Sequence, residues 1–108
     1  MTYDTDLADR VRQRLARTAG VTELEMFGAP AFLESGHMMV GLHGGDLIVR
    51  VGTDHTDAAL LRPGARPFDI TGRQIDGWVL VHGAFLDDEA LEGWLAQAAQ
   101  VVGALPAR

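Results

Sequence analysis

The sequence predicts a two-layer α+β domain in which an antiparallel sheet is flanked by helices. Apolar residues recur at helical spacing near both ends of the chain, whereas the middle alternates with a period of two. The apolar runs of the middle are separated by only two to four residues. Such short connections exclude crossovers between parallel strands and favour hairpins. The expected element order is α-β-β-β-β-α-β-β-α.

The first helix is expected over about residues 5–19. Asp4 or Thr5 can cap its free amide groups, and Gly20 can adopt the left-handed conformation that ends a helix. One apolar stripe runs along this segment at intervals of four, at Leu7, Val11 and Leu15. This stripe predicts that the helix buries one face against the sheet.

Four strands are expected to follow as a meander. They are the segments VTELEMF, AFLE, HMMVGLH and DLIVRV. The turns between them contain glycine, which adopts the positive φ that tight turns need; these residues are Gly28, Gly36, Gly44 and Gly45. A phosphate-binding loop would place its glycines just before a helix. No helix is expected after GLHGG, so we do not predict a nucleotide-binding site.

A short helix is expected over about residues 55–62, capped by Thr53 or Asp54 and ended by the segment RPG. The segment ARPFDI predicts a short edge strand, because Pro67 cannot donate a hydrogen bond to a ladder. The segment GWVLVHG, rich in β-branched and aromatic residues, predicts a further strand. The last helix is expected to begin after a cap at Asp87.

The length of 108 residues, with 47% apolar and 22% charged residues, predicts a single domain over residues 1–108. The net charge of −6 argues against direct binding of nucleic acid, which requires cations that displace counterions from phosphates. The chain has neither a signal-peptide pattern nor an apolar run of about 20 residues that could span a membrane. We therefore expect a cytoplasmic location.

No catalytic residue, metal ligand or cofactor is predicted. Cysteine and lysine are absent, which excludes thiol nucleophiles, thiolate zinc sites and lysine Schiff bases. Ser35, the only serine, lies in a turn without the surroundings of a hydrolase nucleophile. Glu23 and Glu25 share one strand face and are expected to be solvated. His43 and Asp46 flank a two-glycine turn and can therefore approach one another. A metal-assisted hydrolase is thus a remote alternative, and we expect a protein that is not an enzyme.

Three arginines are the candidate ligand-binding residues: Arg50, Arg66 and Arg73. Arg50 lies within an apolar strand, and the other two lie on segments that can pair nearby. Planar guanidinium groups gathered on one sheet face would bind an anion or a carboxylate through several hydrogen bonds. The alternative interpretation is that Arg50 is an ordinary solvated strand residue.

The candidate interface residues are Phe32, Met38 and Ile48. Successive residues of a strand point to opposite faces, so that Met38 and Met39 cannot both enter the core. An exposed methionine beside Phe32 and Ile48 would form an apolar patch for dimerisation. The two tryptophans are expected to anchor the core or an interface.

The chain also resembles the N-terminal domain of the TfoX/Sxy family, the bacterial competence regulators. The similar features are Met26-Phe27-Gly28-Ala29, Gly36, the run from Met38 to Leu42, Arg50 and Gly77-Trp78-Val79. The similarity extends over about residues 4–104. Ala29 stands where the family has a second glycine, so the backbone there is expected to have a negative φ.

The resemblance implies an antiparallel sheet with flanking helices, similar to the fold of secretion chaperones. It implies a regulatory or interaction role, since the longest-known members act as transcriptional co-activators with a cyclic-AMP receptor protein. It implies no catalytic residues. We expect a stand-alone domain, without the C-terminal domain of the full regulators, that binds a protein partner or a second copy of itself. Binding of a small anion is the alternative.

Overall fold

The computed structural model describes residues 3–26, 28–69 and 72–106. The helices in these ranges are α1 (Thr5–Leu15), α2 (Thr56–Leu60) and α3 (Asp88–Gly103). The strands are β1 (Val21–Met26), β2 (Ala29–Glu34), β3 (His37–His43), β4 (Asp46–Arg50), β5 (Ala65–Pro67) and β6 (Trp78–His82). Short 3₁₀ turns at Thr53–His55 and Gly83–Phe85 precede α2 and α3. The predicted element order and the α+β class are confirmed.

The strands form one antiparallel sheet in the order β1-β2-β3-β4-β6-β5. The first four are the predicted meander, and Gly28 and Gly36 adopt positive φ values of 81° and 85° in its first two turns. Ala29 begins β2 and is not among the residues with a positive φ, so alanine fits there without strain. The strand that contains Pro67 lies at the edge of the sheet, as its sequence predicts.

The three helices pack on one side of the sheet, which we call the inner face. One buried cluster joins the apolar stripes of α1 and α3 to alternate residues of the strands. Its largest side chains include Trp94, Leu91, Val11, Phe32, Met39, Leu47, Val49 and Val81. Ala59 of α2 joins the same cluster. The predicted helical stripes therefore define the core correctly.

The bounds of the first helix differ from the prediction. Asp4 is its cap, with Oδ1 accepting a hydrogen bond from the amide of Leu7 at 3.1 Å. The helix ends at Leu15, before the predicted boundary at residue 19. Gly20 does have a positive φ of 83°, but it forms the turn into β1, where its carbonyl accepts a hydrogen bond from Ser35.

Of the side-chain caps predicted for α2 and α3, only the cap of α3 is confirmed. Asp87 caps α3 as expected, since its Oδ1 accepts a hydrogen bond from Ala90 N at 2.8 Å. Neither Thr53 nor Asp54 caps α2 with its side chain. Thr56 connects this region instead, because its hydroxyl accepts a hydrogen bond from the amide of Gly77 at 2.7 Å.

Some expected features lie outside the described residues. Phe27 belongs to the motif that follows β1, and Ile70 ends the predicted edge strand; neither is described. None of the described helices is long and apolar enough to cross a membrane.

Candidate functional site

The side of the sheet opposite the helices is the candidate site, and we call it the outer face. Directly paired residues of antiparallel strands point to the same face of a sheet. The register therefore places one row of side chains across all six strands. This row is Leu24, Ala31, Gly41, Ile48, Leu80 and Arg66. None of the described helices covers it.

A second row on the outer face lies beside the first. It comprises Thr22, Leu33 and Met38 on β1 to β3, and Arg50 and Trp78 on β4 and β6. The register shifts between Phe32 and Leu33, which leaves Met39 unmatched in the β2–β3 pairing. As a result Met38 lies on the outer face, while Met39 is fully buried in the core.

Gly41 gives the outer face its shape. A Cβ at this position would lie 2.6 Å from Met38 Cε and 3.7 Å from Ile48 Cδ1. The side chains of Met38 and Ile48 therefore lie over the bare backbone of β3, which is a common reason for glycine within a strand. Together they form a continuous apolar surface in the middle of the sheet.

The exposure of this apolar surface varies across the sheet and is greatest at the edge strand β1. Ala31 and Leu80 are buried, and Met38 and Ile48 are half-buried. Leu24, on the edge strand, is 52% exposed. Scattered apolar residues at a surface are ordinary, whereas a contiguous apolar patch marks a binding surface.

Arg50 stacks on Trp78, with Cζ 5.1 Å from the ring centroid. Its Nη1 donates a long hydrogen bond of 3.4 Å to the carbonyl oxygen of Met38. It forms no ion pair with any carboxylate in the described part of the chain. The stack holds one uncompensated positive charge beside the apolar surface.

Arg66 has a different environment. Its Nη2 lies 2.5 Å from Oδ2 of Asp46, a carboxylate that is only 8% exposed. The hydrogen bond to Asp46 raises the pKa of the Arg66 guanidinium. The pair neutralises the one buried carboxylate in this part of the sheet.

The structure does not gather the three candidate arginines at one point. Asp46 and Arg50 occupy opposite ends of β4, about 13 Å apart at 3.3 Å per residue, and Arg66 is bound at the Asp46 end. Arg73 is exposed in the segment between β5 and β6, outside the sheet. An anion site formed by these residues stays a prediction.

One candidate interface residue needs correction. Phe32 is 2% exposed and belongs to the core cluster, because it pairs with Val40 on the inner face. It cannot share a surface patch with Met38 and Ile48, which both lie on the outer face. The two tryptophans also lie in different places. Trp94 is buried in the core, whereas Trp78 lies on the outer face.

His43 and Asp46 pair across the β3–β4 turn as the sequence suggests, and His82 pairs with Asp46 from the other side. The Nδ1 atom of His82 accepts a hydrogen bond from Ala84 N, and Asp46 is bound by Arg66. In residues 3–26, 28–69 and 72–106 no three histidine or acidic side chains are placed to hold a metal ion.

Sequence reasoning missed part of the outer face. Leu24, Leu33 and Leu80 were not among its candidates. The available signal was that β2, β3 and β4 carry apolar residues at both parities, whereas a strand with one wet face alternates apolar with polar residues. A strand that is apolar on both sides indicates a second apolar surface.

Comparison with known proteins identifies the family. The sequence model described as the TfoX N-terminal domain matches residues 13–102. The matched range includes all six strands and the whole outer face. Searches of curated proteins and of solved structures gave no match.

Proposed function

Because the chain belongs to the TfoX N-terminal domain family, we propose that it is a non-enzymatic regulatory module that acts by binding protein. The observation that carries the proposal is the apolar outer face, which none of the described helices covers. In a sheet with helices on one side, the second face is normally polar. Here half-buried apolar side chains surround Gly41, and burying them against another chain would be favourable.

The transcriptional role implied by the resemblance is part of the proposal, with protein as the partner. The chain carries nine basic and 15 acidic residues, a balance unsuited to neutralising DNA phosphates. Of the arginines on the outer face, Arg66 is already paired with Asp46. A regulatory effect on DNA would therefore pass through another protein.

The occupant that we propose for the outer face is a second copy of the chain. We place a two-fold axis in the interface, parallel to the row of residues through Ile48 and therefore perpendicular to the strands. Rotation about this axis reverses the strand direction in the second copy. Ile48 then faces its own equivalent. Arg50 faces Asp46 of the second copy, since these two residues lie equally far from Ile48 on β4. The arrangement joins two apolar surfaces and places each Arg50 opposite the Asp46–Arg66 ion pair of the second copy.

Self-association is tested by sedimentation equilibrium from about 1 to 500 µM. We expect the mass to rise with concentration from 11.6 kDa toward twice that value. Met38→Glu places a charge in the apolar surface and is expected to remain monomeric. Leu61→Glu is the matched control, because Leu61 is 87% exposed on the turn after α2, away from the outer face.

Two results would oppose this proposal. A wild-type protein that stays monomeric over the whole range would exclude the second copy as the occupant and leave a different protein as partner. Dimerisation of Met38→Glu at the wild-type affinity would place the interface elsewhere.

A second candidate function is binding of a small anion or carboxylate by Arg50, Arg66 and Arg73. It is favoured by one observation, the lack of an ion pair for Arg50 among the described residues. Succinate should then raise the melting temperature, and Arg50→Met should remove that effect. No change with succinate would argue against it.

A further inference from the structure

A cavity of 470 Å³ lies on the helical side of the sheet, between the turn after α2 and the start of α3. Arg62 forms one side of it, and Trp94 lies beneath the guanidinium. The remaining wall is formed by the apolar residues Pro63, Ala84, Phe85 and Ala90 and by the acidic residue Asp87. This cavity is separate from the outer face and has no part in the function proposed above.

Arg62 is held in position by two contacts, one of which is itself supported by a third. Its Cζ lies 3.5 Å from the centroid of the Trp94 ring, which is a close stack. Its Nη1 donates a hydrogen bond of 2.6 Å to Oε1 of Gln97. Gln97 is itself oriented by a hydrogen bond of 3.3 Å to the carbonyl of Val51. The guanidinium is therefore positioned before any ligand arrives.

The charge of Arg62 has no counter-ion in the described part of the chain. Arg10, Arg12, Arg14 and Arg66 all form ion pairs with carboxylates. Arg62 is half-buried, and desolvation lowers its pKa. Trp94 and Gln97 offset part of the cost of burying this cation, and an anion in the cavity would offset more of it.

The aromatic wall is also built into the backbone. Gly64 has a φ of 80°, and a Cβ there would lie 2.6 Å from Phe85 Cβ. The absence of a side chain allows Phe85 to pack against this turn. Phe85 remains 53% exposed, which leaves part of its ring available to a ligand.

We propose that this cavity binds a monocarboxylate that carries a small apolar or aromatic group. The remaining N–H donors of Arg62 match the planar, two-oxygen geometry of a carboxylate. Phe85 and its apolar neighbours fit the hydrophobic part of such a ligand. Asp87 lines the same cavity, where its side chain caps α3, so that a singly charged carboxylate meets less repulsion there than a multiply charged phosphate.

The experiment is a titration of ¹⁵N-labelled protein with benzoate, followed by two-dimensional NMR. We expect saturable shifts at the Trp94 indole and at the amide of Gly93, which adjoins Arg62 on α3. Benzyl alcohol and inorganic phosphate, at the same concentrations, should produce much smaller shifts.

Arg62→Met keeps an unbranched side chain over Trp94 but removes the charge, and should weaken benzoate binding tenfold or more. Arg62→Lys retains the charge without the planar pair of donors and should also bind more weakly. Arg17→Met removes one exposed positive charge elsewhere and should bind as the wild type does.

Three results would overturn the proposal. They are equal shifts with benzyl alcohol, wild-type affinity in folded Arg62→Met or Arg62→Lys, and benzoate shifts centred on Trp78 instead of Trp94. The last result would instead support the anion site on the outer face. If Arg62→Met does not fold, the comparison of Arg62→Lys with Arg17→Met decides the question.

Discussion

The inner and outer faces of the sheet are formed by the same strands, yet they differ in what covers them. Met38 and Met39 are neighbours on β3 and show the difference most directly. Met39 is fully buried beneath the helices, whereas Met38 is half-buried over Gly41 on the outer face. Identical side chains therefore belong to a closed core and to an open surface.

The two sides of the edge strand β1 also differ in their polar contacts. On the inner side, Arg12 of α1 donates two hydrogen bonds to Glu23 of β1, at 2.8 and 2.7 Å. This contact connects the first helix to the edge strand. On the outer side of the same strand, Leu24 and Met26 are exposed. The inner face of β1 is thus closed by a polar contact, whereas its outer face carries exposed apolar side chains.

The largest expected effect comes from truncating the two methionines. Met39→Ala should lower the free energy of unfolding by about 2–4 kcal/mol, because it leaves a cavity in the closed core. Met38→Ala should lower it by less than about 1 kcal/mol, since its surroundings can relax and solvent can enter. Urea denaturation of dilute monomer measures both values. Equal losses would show that the outer face is packed like a core.

The element order could be predicted because each segment carries its own periodicity, from the stripe of α1 to the alternation of β1. The face of the sheet on which Phe32 lies could not be predicted, because it depends on the register of strand pairing. A slip of one residue sends every side chain of a strand to the other face, and the irregular pairing after Phe32 leaves no mark in the sequence.

Contacts between residues far apart in the chain could not be predicted from the sequence either. The ion pair of Arg66 with Asp46 requires β6 to lie between β5 and β4, an order that neighbouring residues do not specify. The stack of Arg62 on Trp94 joins the turn after α2 to the last helix, and no local pattern connects them. The glycine turns, by contrast, were predictable, since a positive φ is a property of one residue.

A smaller effect is expected from filling the space over β3. Gly41→Ala introduces a methyl group 2.6 Å from Met38 Cε, so the end of that flexible side chain must move. We expect a loss of about 1 kcal/mol in stability and weaker self-association, because the outer surface changes shape. Gly45→Ala is the control, since a Cβ there meets nothing within 4 Å. Chemical denaturation and sedimentation equilibrium measure the two effects; a Gly41→Ala protein that dimerises normally would remove Met38 from the interface.

The smallest expected effect concerns the polar contact that closes the inner face at β1. The hydrogen bonds from Arg12 lower the pKa of Glu23 below its usual range. A carboxylate whose pKa is lower in the folded state stabilises the fold above its unfolded pKa, about 4.3, and loses this contribution as the pH falls through the folded value. Because both side chains are exposed, the contribution should stay below about 1 kcal/mol.

Glu23→Gln should therefore reduce stability at pH 7 and reduce it less at pH 3, where a larger fraction of the wild-type carboxylate is protonated. Glu25→Gln is the matched control, since Glu25 lies on the same face of β1 but forms no ion pair among the described residues. Thermal unfolding at both pH values measures the difference. If the two variants show the same pH dependence, the contact between Arg12 and Glu23 contributes nothing to closing this face, and the packing of α1 alone distinguishes the two sides of the edge strand.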